Sequence, residues 1–143
     1  MMTTFELVRA KAEAAHKAAC ALGVVSAAVK KKALLAMADA LLAKPDFIIE
    51  ANDRDMQAAR ENGMKESMQD RLRLTPERIE GMAEGLRQVA ALPDPVGNVI
   101  GGQTLANGLK ITKVRVPLGV IGIIYEARPN VTADAFGLCL KAG

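Results

Sequence analysis

The run Gly119-Val-Ile-Gly-Ile-Ile-Tyr125 constrains the fold of this chain more than any other stretch. It is short, continuously apolar and rich in Val and Ile, with Pro117 before it and the polar segment from Glu126 to Asn130 after it. That is the pattern of a strand buried on both faces, and such strands belong to parallel sheets. Five residues of loop chemistry follow. Beyond them Val131, Ala135, Leu138 and Ala142 recur at helical spacing, with Asn130 or Thr132 available as N-cap. Together these segments predict a strand, a loop and a helix, the opening half of a βαβ crossover. In doubly wound sheets, ligands bind at the carboxyl end of such strands, facing the helix N-terminus, which here places the candidate site at Tyr125 to Asn130. Spacing alone supplies no dinucleotide fingerprint, because G-x-G-x-x-G is absent and Gly119 and Gly122 lie inside the strand.

Upstream the period is helical. Thr3 and Glu6 have capping-box spacing and open a first helix, with Phe5, Val8, Ala12 and Ala15 on one stripe, ending near Leu22-Gly23. Ser26 caps a second, in which Val29, Ala33, Met37 and Leu41 recur every fourth residue until Lys44-Pro45 stops it. These two are expected to pair in antiparallel fashion. Pro45 to Glu50 reads as a short apolar element, and Asn52 as the cap of a helix running to Arg60 and finishing at Asn62-Gly63. Lys65 to Leu74 predicts another short helix. Thr75-Pro76-Glu77 then sets a cap, a proline at the first helical position and an acid in the first turn, with Ile79, Met82, Ala83, Leu86 and Ala90 as the inner stripe. Leu92-Pro-Asp-Pro95 breaks that helix and marks the one clear boundary.

Past the boundary the period changes. Leu109, Ile111, Lys113 and Arg115 alternate with Lys110, Thr112, Val114 and Val116, and Asn107-Gly108 separates them from Val99-Ile100, which predicts a β-hairpin. Such a ribbon is marginal alone and needs another sheet to lie on.

Composition narrows the function classes. The chain has 143 residues and 50% hydrophobic content, enough for one globular core. Its net charge of +3, from 19 basic and 16 acidic residues, is small beside that of a dedicated nucleic-acid binder. Lys30-Lys31-Lys32 has no interleaved aromatic residues and reads as a solvated helix face between Val29 and Ala33. Cys20 and Cys139 lack metal or C-x-x-C spacing, which favours a reducing cytoplasm over a disulfide scaffold and gives no metal site. Both read as small buried hydrophobes, and the single histidine, His16, as a surface residue. No stretch approaches the roughly 18 apolar residues needed to cross a bilayer, and the N-terminus has no signal-peptide pattern. A soluble cytoplasmic protein is expected.

The literal residues go further than their spacing. Val116-Pro-Leu-Gly-Val-Ile-Gly-Ile-Ile-Tyr-Glu-Ala-Arg-Pro-Asn130 resembles the first cofactor strand and loop of the gamma-glutamyl phosphate reductases, a branch of the aldehyde dehydrogenase superfamily. Asn52-Asp-Arg-Asp55, Asn62-Gly-Met64, Asp70-Arg-Leu-Arg-Leu-Thr-Pro-Glu-Arg78 and Leu92-Pro-Asp-Pro-Val-Gly97 resemble the same family in the same order, so the likeness covers nearly the whole chain. It implies an α/β fold in three parts: residues 1–95 as the helical N-terminal part of a Rossmann-like cofactor domain, 96–116 as a hairpin arm reaching towards a neighbouring subunit, and 117–143 as the first, incomplete strand-loop-helix of the dinucleotide sheet. It further implies NADPH as coenzyme, gamma-glutamyl phosphate as substrate and glutamate 5-semialdehyde as product. The full-length protein would be a homo-oligomer, with glutamate 5-kinase a possible partner. Neither nucleic acid nor membrane would be engaged.

The resemblance also assigns roles. The backbone of Ile124, Tyr125 and Glu126 would contact the coenzyme. Asn130 matches the asparagine that donates to the thiohemiacetal oxyanion, an interaction typically worth about 2.7 to 4 kcal/mol. The loop is offset here, so Arg128 is an alternative for that place, and otherwise would bind the acyl phosphate or pair with Glu126. Asn130 could equally serve only as a helix cap. The family's nucleophilic cysteine belongs to a later domain, so this chain looks like about the first third of the enzyme and by itself is expected to be inactive. Two other function classes stay open: a non-catalytic helical interaction or nucleic-acid module using Lys30 to Lys32, and another acylating aldehyde dehydrogenase.

Overall fold

The structure is a computed structural model that describes residues 2–143. It is mostly helical, with one two-stranded antiparallel sheet: α1 (Thr4–Leu22), α2 (Ala27–Ala43), α3 (Pro45–Glu61), α4 (Glu66–Leu72), α5 (Pro76–Ala91), β1 (Val99–Thr104), β2 (Lys110–Val114) and α6 (Pro129–Ala142). Local chemistry accounts for most helix ends. Thr3 and Glu6 complete a capping box on α1, Ser26 accepts from the Val29 amide at α2, and Thr75 accepts from the Arg78 amide at α5, where Pro76 occupies the first turn. At the end of α3 the Met64 amide donates to Ala59 and the Gly63 amide to Arg60, with Gly63 at φ 67. That double bond pattern is a Schellman motif and requires a residue tolerant of the left-handed region.

The core is built around α5, which packs against α2 and α6 and touches α3, while α2 and α6 also meet. Every position of the expected α5 stripe is buried: Ile79, Met82, Ala83, Leu86 and Ala90. Leu34 and Ala38 of α2 join Ala83, Leu86 and Ala90 in the central cluster, with Met37, Leu41, Val89 and Leu140 around it. Burying each of the larger side chains stabilises the fold by roughly 1.5–3 kcal/mol. Small residues set how closely the helices approach. At Gly137 of α6 an added Cβ would lie 2.6 Å from Leu86 Cδ2 and 3.6 Å from Leu34 Cδ2, so no larger residue fits without displacing the core.

Several expectations are corrected here. The buried face of α2 is Lys30, Leu34 and Ala38, one residue round from the expected stripe, and Val29 is exposed. Lys30 is only 2% exposed and is not part of a solvated face. Its Nζ lies 2.7 Å from Asp94 Oδ2 and donates to the Lys141 carbonyl at 3.4 Å. Lys141, also buried, donates from Nζ to the Ala90 carbonyl at 3.3 Å. This group joins α2, the end of α5, the Leu92–Pro95 break and α6. Burial pushes the Asp94 carboxyl up, but hydrogen bonds from Lys30 and the Val96 amide and the charges of Lys30 and Lys141 outweigh it and hold the group below the usual carboxylate range.

Helix α1 buries no residue, with Phe5 and Val8 on its open surface, so the expected α1–α2 pair is not packed. Cys20 is exposed rather than buried, and Cys139 is half-buried. Pro45 to Glu61 is one helix, because Pro45 supplies a first-turn residue. Asn52 is therefore not a cap. It lies mid-helix, buried, donating from Nδ2 to the Leu72 carbonyl at 2.9 Å and accepting from the Leu74 amide at 2.7 Å, which pins the α4–α5 link to α3.

The hairpin pairs Gly102 with Thr112 and Thr104 with Lys110, with an irregularity between Val99 and Gly101. Its turn is a three-residue loop: the Gly108 amide donates to Leu105, the Leu105 amide to Leu109, and only Gly108, at φ 84, is left-handed. Nearly all of the ribbon is exposed. The largest departure is at Gly119 to Tyr125, which forms no strand. Val120, Ile121 and Ile123 are about half exposed and Ile124 is fully so. A parallel strand exists only against a hydrogen-bonding neighbour, and among the described residues the only strands are the two of the hairpin.

Candidate functional site

Helix α6 begins at Pro129, with Arg128 in the N-cap position and no side chain capping its first turn. Asn130 therefore lies inside the first turn, and neither it nor Thr132 is the cap. Asn130 Nδ2 donates to Asp134 Oδ2 at 3.1 Å, while Thr132 shares a 2.6 Å hydrogen bond with the Tyr125 hydroxyl. Glu126 pairs with Arg71 at 3.2 Å, not with Arg128. The Tyr125–Thr132 and Glu126–Arg71 contacts tie the loop before α6 to that helix on one side and to α4 on the other.

Between the α4–α5 link and the start of α6 opens a cleft of about 450 Å³. Arg128 and Asn130 both line it, together with Arg71, Arg73, Arg78, Asp70 and Asp134, over an apolar floor that includes Leu74, Met82 and Pro129. The structure thus brings the two predicted side chains to one concave surface. It adds three arginines that lie far from the loop in sequence, although Asp70-Arg-Leu-Arg-Leu-Thr-Pro-Glu-Arg78 holds them within nine residues of one motif. Their charges are not equivalent. Arg78 is used internally: its guanidinium donates to the Asp70 carboxylate at 3.3 Å, to the Arg73 carbonyl at 2.7 Å and to the Asp70 carbonyl. Arg71 is occupied by Glu126. Among the described residues, Arg73 and Arg128 have no carboxylate partner, and both are exposed to the cleft. A concave surface on which four arginines outnumber Asp70 and Asp134, and two of the guanidiniums are in no ion pair, suits an anionic ligand.

Of the coenzyme candidates, Ile124 and Tyr125 make no backbone–backbone hydrogen bond, and Glu126 uses its carbonyl to accept from the Arg128 amide at 2.7 Å.

The other sequence candidates do not converge. His16 and Cys20 lie exposed on α1, and Cys139 borders an apolar hollow of about 590 Å³ formed by the end of α1, Val120, Ile121 and α6. Among the described residues no group of three His, Cys, Asp or Glu side chains is arranged to hold a metal ion, and no helix is long and apolar enough to cross a membrane.

No family model matches the chain. Curated relatives do. It is 52% identical over 139 residues to gamma-glutamyl phosphate reductase of Gloeobacter violaceus and 54% identical over 136 residues to that of Thermobifida fusca, matches that cover 97% and 95% of this chain. The chain spans about a third of the length of each, 33% and 32%. Two solved structures agree. The crystal structure of gamma-glutamyl phosphate reductase from Thermotoga maritima superimposes with a TM-score of 0.88 at 44% identity, over 92% of this chain and 32% of that one. The Saccharomyces cerevisiae reductase gives 0.88 at 35% identity, over 99% and 35%. In sequence and in backbone structure, the chain is a homologue of the gamma-glutamyl phosphate reductases over a stretch about a third as long as they are.

Proposed function

We propose that this chain forms the N-terminal part of an NADPH-dependent reductase that converts gamma-glutamyl phosphate to glutamate 5-semialdehyde in proline biosynthesis. The observation that supports it most is the 52% identity to a gamma-glutamyl phosphate reductase over 97% of the chain. The cleft adds a physical reason, since it gathers Arg128 and Asn130 with further arginines where an acyl phosphate would be held. In this reading Gly119 to Tyr125 takes its ladder partners from sequence outside the chain and becomes the first strand of a Rossmann-like sheet. Its apolar side chains, exposed here, are then covered. The arm of residues 96–116, whose strands are exposed, reaches a neighbouring subunit of a homo-oligomer.

The residues divide the work as follows. Arg128 binds the phosphoryl oxygens and holds the acyl carbon in place. Asn130 gives one Nδ2 hydrogen to Asp134 and keeps the second for negative charge developing on the carbonyl oxygen. Ile124 and Tyr125, whose main-chain groups make no backbone–backbone hydrogen bond, and Glu126 would contact the coenzyme. Bound NADPH supplies the hydride. The attacking thiolate comes from a cysteine outside this chain, because exposed Cys20 and half-buried Cys139 both lie away from the cleft.

A chimera tests this. Residues 1–143 would replace the corresponding third of the Gloeobacter violaceus reductase, and NADPH oxidation dependent on gamma-glutamyl phosphate would be followed. The chimera should be active and the isolated chain inactive. Asn130→Ala should lower kcat about a hundredfold or more, as loss of one oxyanion donor does. Arg128→Ala should chiefly raise KM for the acyl phosphate, because a ground-state ion pair is uniform binding. Near-normal kinetics in both variants would remove the loop from the active site.

A further inference from the structure

The cleft holds four arginines, and the way each is used separates them. Arg78 is locked to Asp70 and to the carbonyls of Asp70 and Arg73, and Arg71 faces Glu126. Arg73, from the α4–α5 link, and Arg128, from the start of α6, reach the same cavity from different elements and among the described residues neither is in an ion pair, while Asp134 on the same wall accepts from Asn130. We infer that Arg73 is a second phosphate-binding residue, closing with Arg128 on the phosphoryl group of an acyl phosphate.

The surroundings suit that role. Arg73 is exposed, yet its backbone is held, because Arg78 Nη1 donates to its carbonyl at 2.7 Å and Asn52 accepts from the amide of the next residue at 2.7 Å. An anchored backbone lowers the entropy lost when a long side chain engages a ligand. Two planar guanidiniums can share the three terminal oxygens of a phosphoryl group bidentately, and the Asn130 amide in the first turn of α6 is a further donor with no backbone partner. Gly81 on the cleft wall leaves space, since an added Cβ there would meet nothing within 4 Å. Arg78 and Asp70 position Arg73 and do not themselves contact the anion.

This inference rests on the reductase reading for the identity of the acyl phosphate, but not for the existence of the site. The intact 143-residue chain would be titrated at low ionic strength with inorganic phosphate, acetyl phosphate and NADP+, following the arginine Nε–Hε resonances by NMR. Phosphate and acetyl phosphate should shift Arg73 and Arg128 on one binding curve. Arg73→Ala and Arg128→Ala should each weaken that curve about tenfold, the usual consequence of losing a hydrogen bond to a charged group. Lys32→Ala, which removes an exposed cation of α2, should leave it within about threefold. Unchanged phosphate affinity in Arg73→Ala, or shifts produced by NADP+ and by neither phosphate, would overturn the clamp. In the active chimera Arg73→Ala should raise KM for the acyl phosphate about tenfold with kcat held within about threefold, and a normal KM would likewise overturn it. An inactive chimera whose isolated chain still binds phosphate through Arg73 and Arg128 would refute the reductase reading while supporting the clamp.

Discussion

Replacing Asp94 by alanine should cost this fold more than removing its partner. In the folded chain Lys30 is 2% exposed and its ammonium is 2.7 Å from Asp94 Oδ2; the carbonyl of Lys141 at 3.4 Å is a weaker second acceptor. Asp94→Ala leaves that ammonium buried without a counter-charge, close to the equally buried Lys141, and also removes the 2.9 Å bond from the Val96 amide. Stranding one member of a buried pair typically costs 3–5 kcal/mol. Asp94 keeps some solvent contact, its side chain being 13% exposed, so the lower end of that range, about 3 kcal/mol, is expected. For a chain of this size that corresponds to a fall in Tm of roughly 6–12 °C. Lys30→Met should cost about 1.5 kcal/mol or less, because it places an apolar side chain of similar length in an apolar setting, and the remaining carboxylate keeps the Val96 amide and some water. Urea unfolding followed by far-UV circular dichroism would measure both, with the m-value checked for constancy. A loss below about 1 kcal/mol in Asp94→Ala, or a larger loss in Lys30→Met, would refute the view that the Lys30 charge is held by this pair.

Three further outcomes are expected. Because Asp94 titrates below its ordinary range in the folded chain, the unfolded chain binds more protons on acidification; the stabilisation is complete above about pH 4 and is lost as pH falls through the lower folded value. The urea midpoint should drop in that window, and Asp94→Asn should flatten the drop. Asn52→Ala should destabilise by about 2–3 kcal/mol, since it strands both the Leu72 carbonyl and the Leu74 amide, and a change in the urea midpoint under half that size would show that water replaces the side chain. The exposed Val120, Ile121, Ile123 and Ile124 should make the isolated chain bind a hydrophobic dye such as ANS; Ile124→Asp should reduce the fluorescence with Tm unchanged, and no dye binding by the parent chain would count against an open apolar surface.

How much was legible in the sequence depended on whether the deciding interaction was local. The α5 helix was readable throughout because Thr75, Pro76 and five inner positions act within one element. Helix α2 was placed correctly at both ends but misread in phase. It is apolar almost all round, and the buried lysine that marks its inner face looks like a surface residue until Asp94 is seen beside it. Asn52 was misjudged for the same reason, as its residue type suits a cap while its hydrogen bonds go to the link after α4. In the candidate site, Arg128 and Asn130 were found from their place after an apolar run, whereas Arg73 gained meaning only when the fold laid the α4–α5 link against the start of α6.

The sequence by itself determined the capped starts of α1, α2 and α5, the hairpin and the likeness to the reductases, all of which rest on residue type at fixed local spacing. Tertiary structure alone decided which face of α2 is buried, which arginines of the cleft are already paired, and whether Gly119 to Tyr125 is a strand. The physical reason is common to the three. A charge needs a counter-charge and a strand needs a ladder, and in each case the partner lies far along the chain or, for the strand, is absent from the residues described.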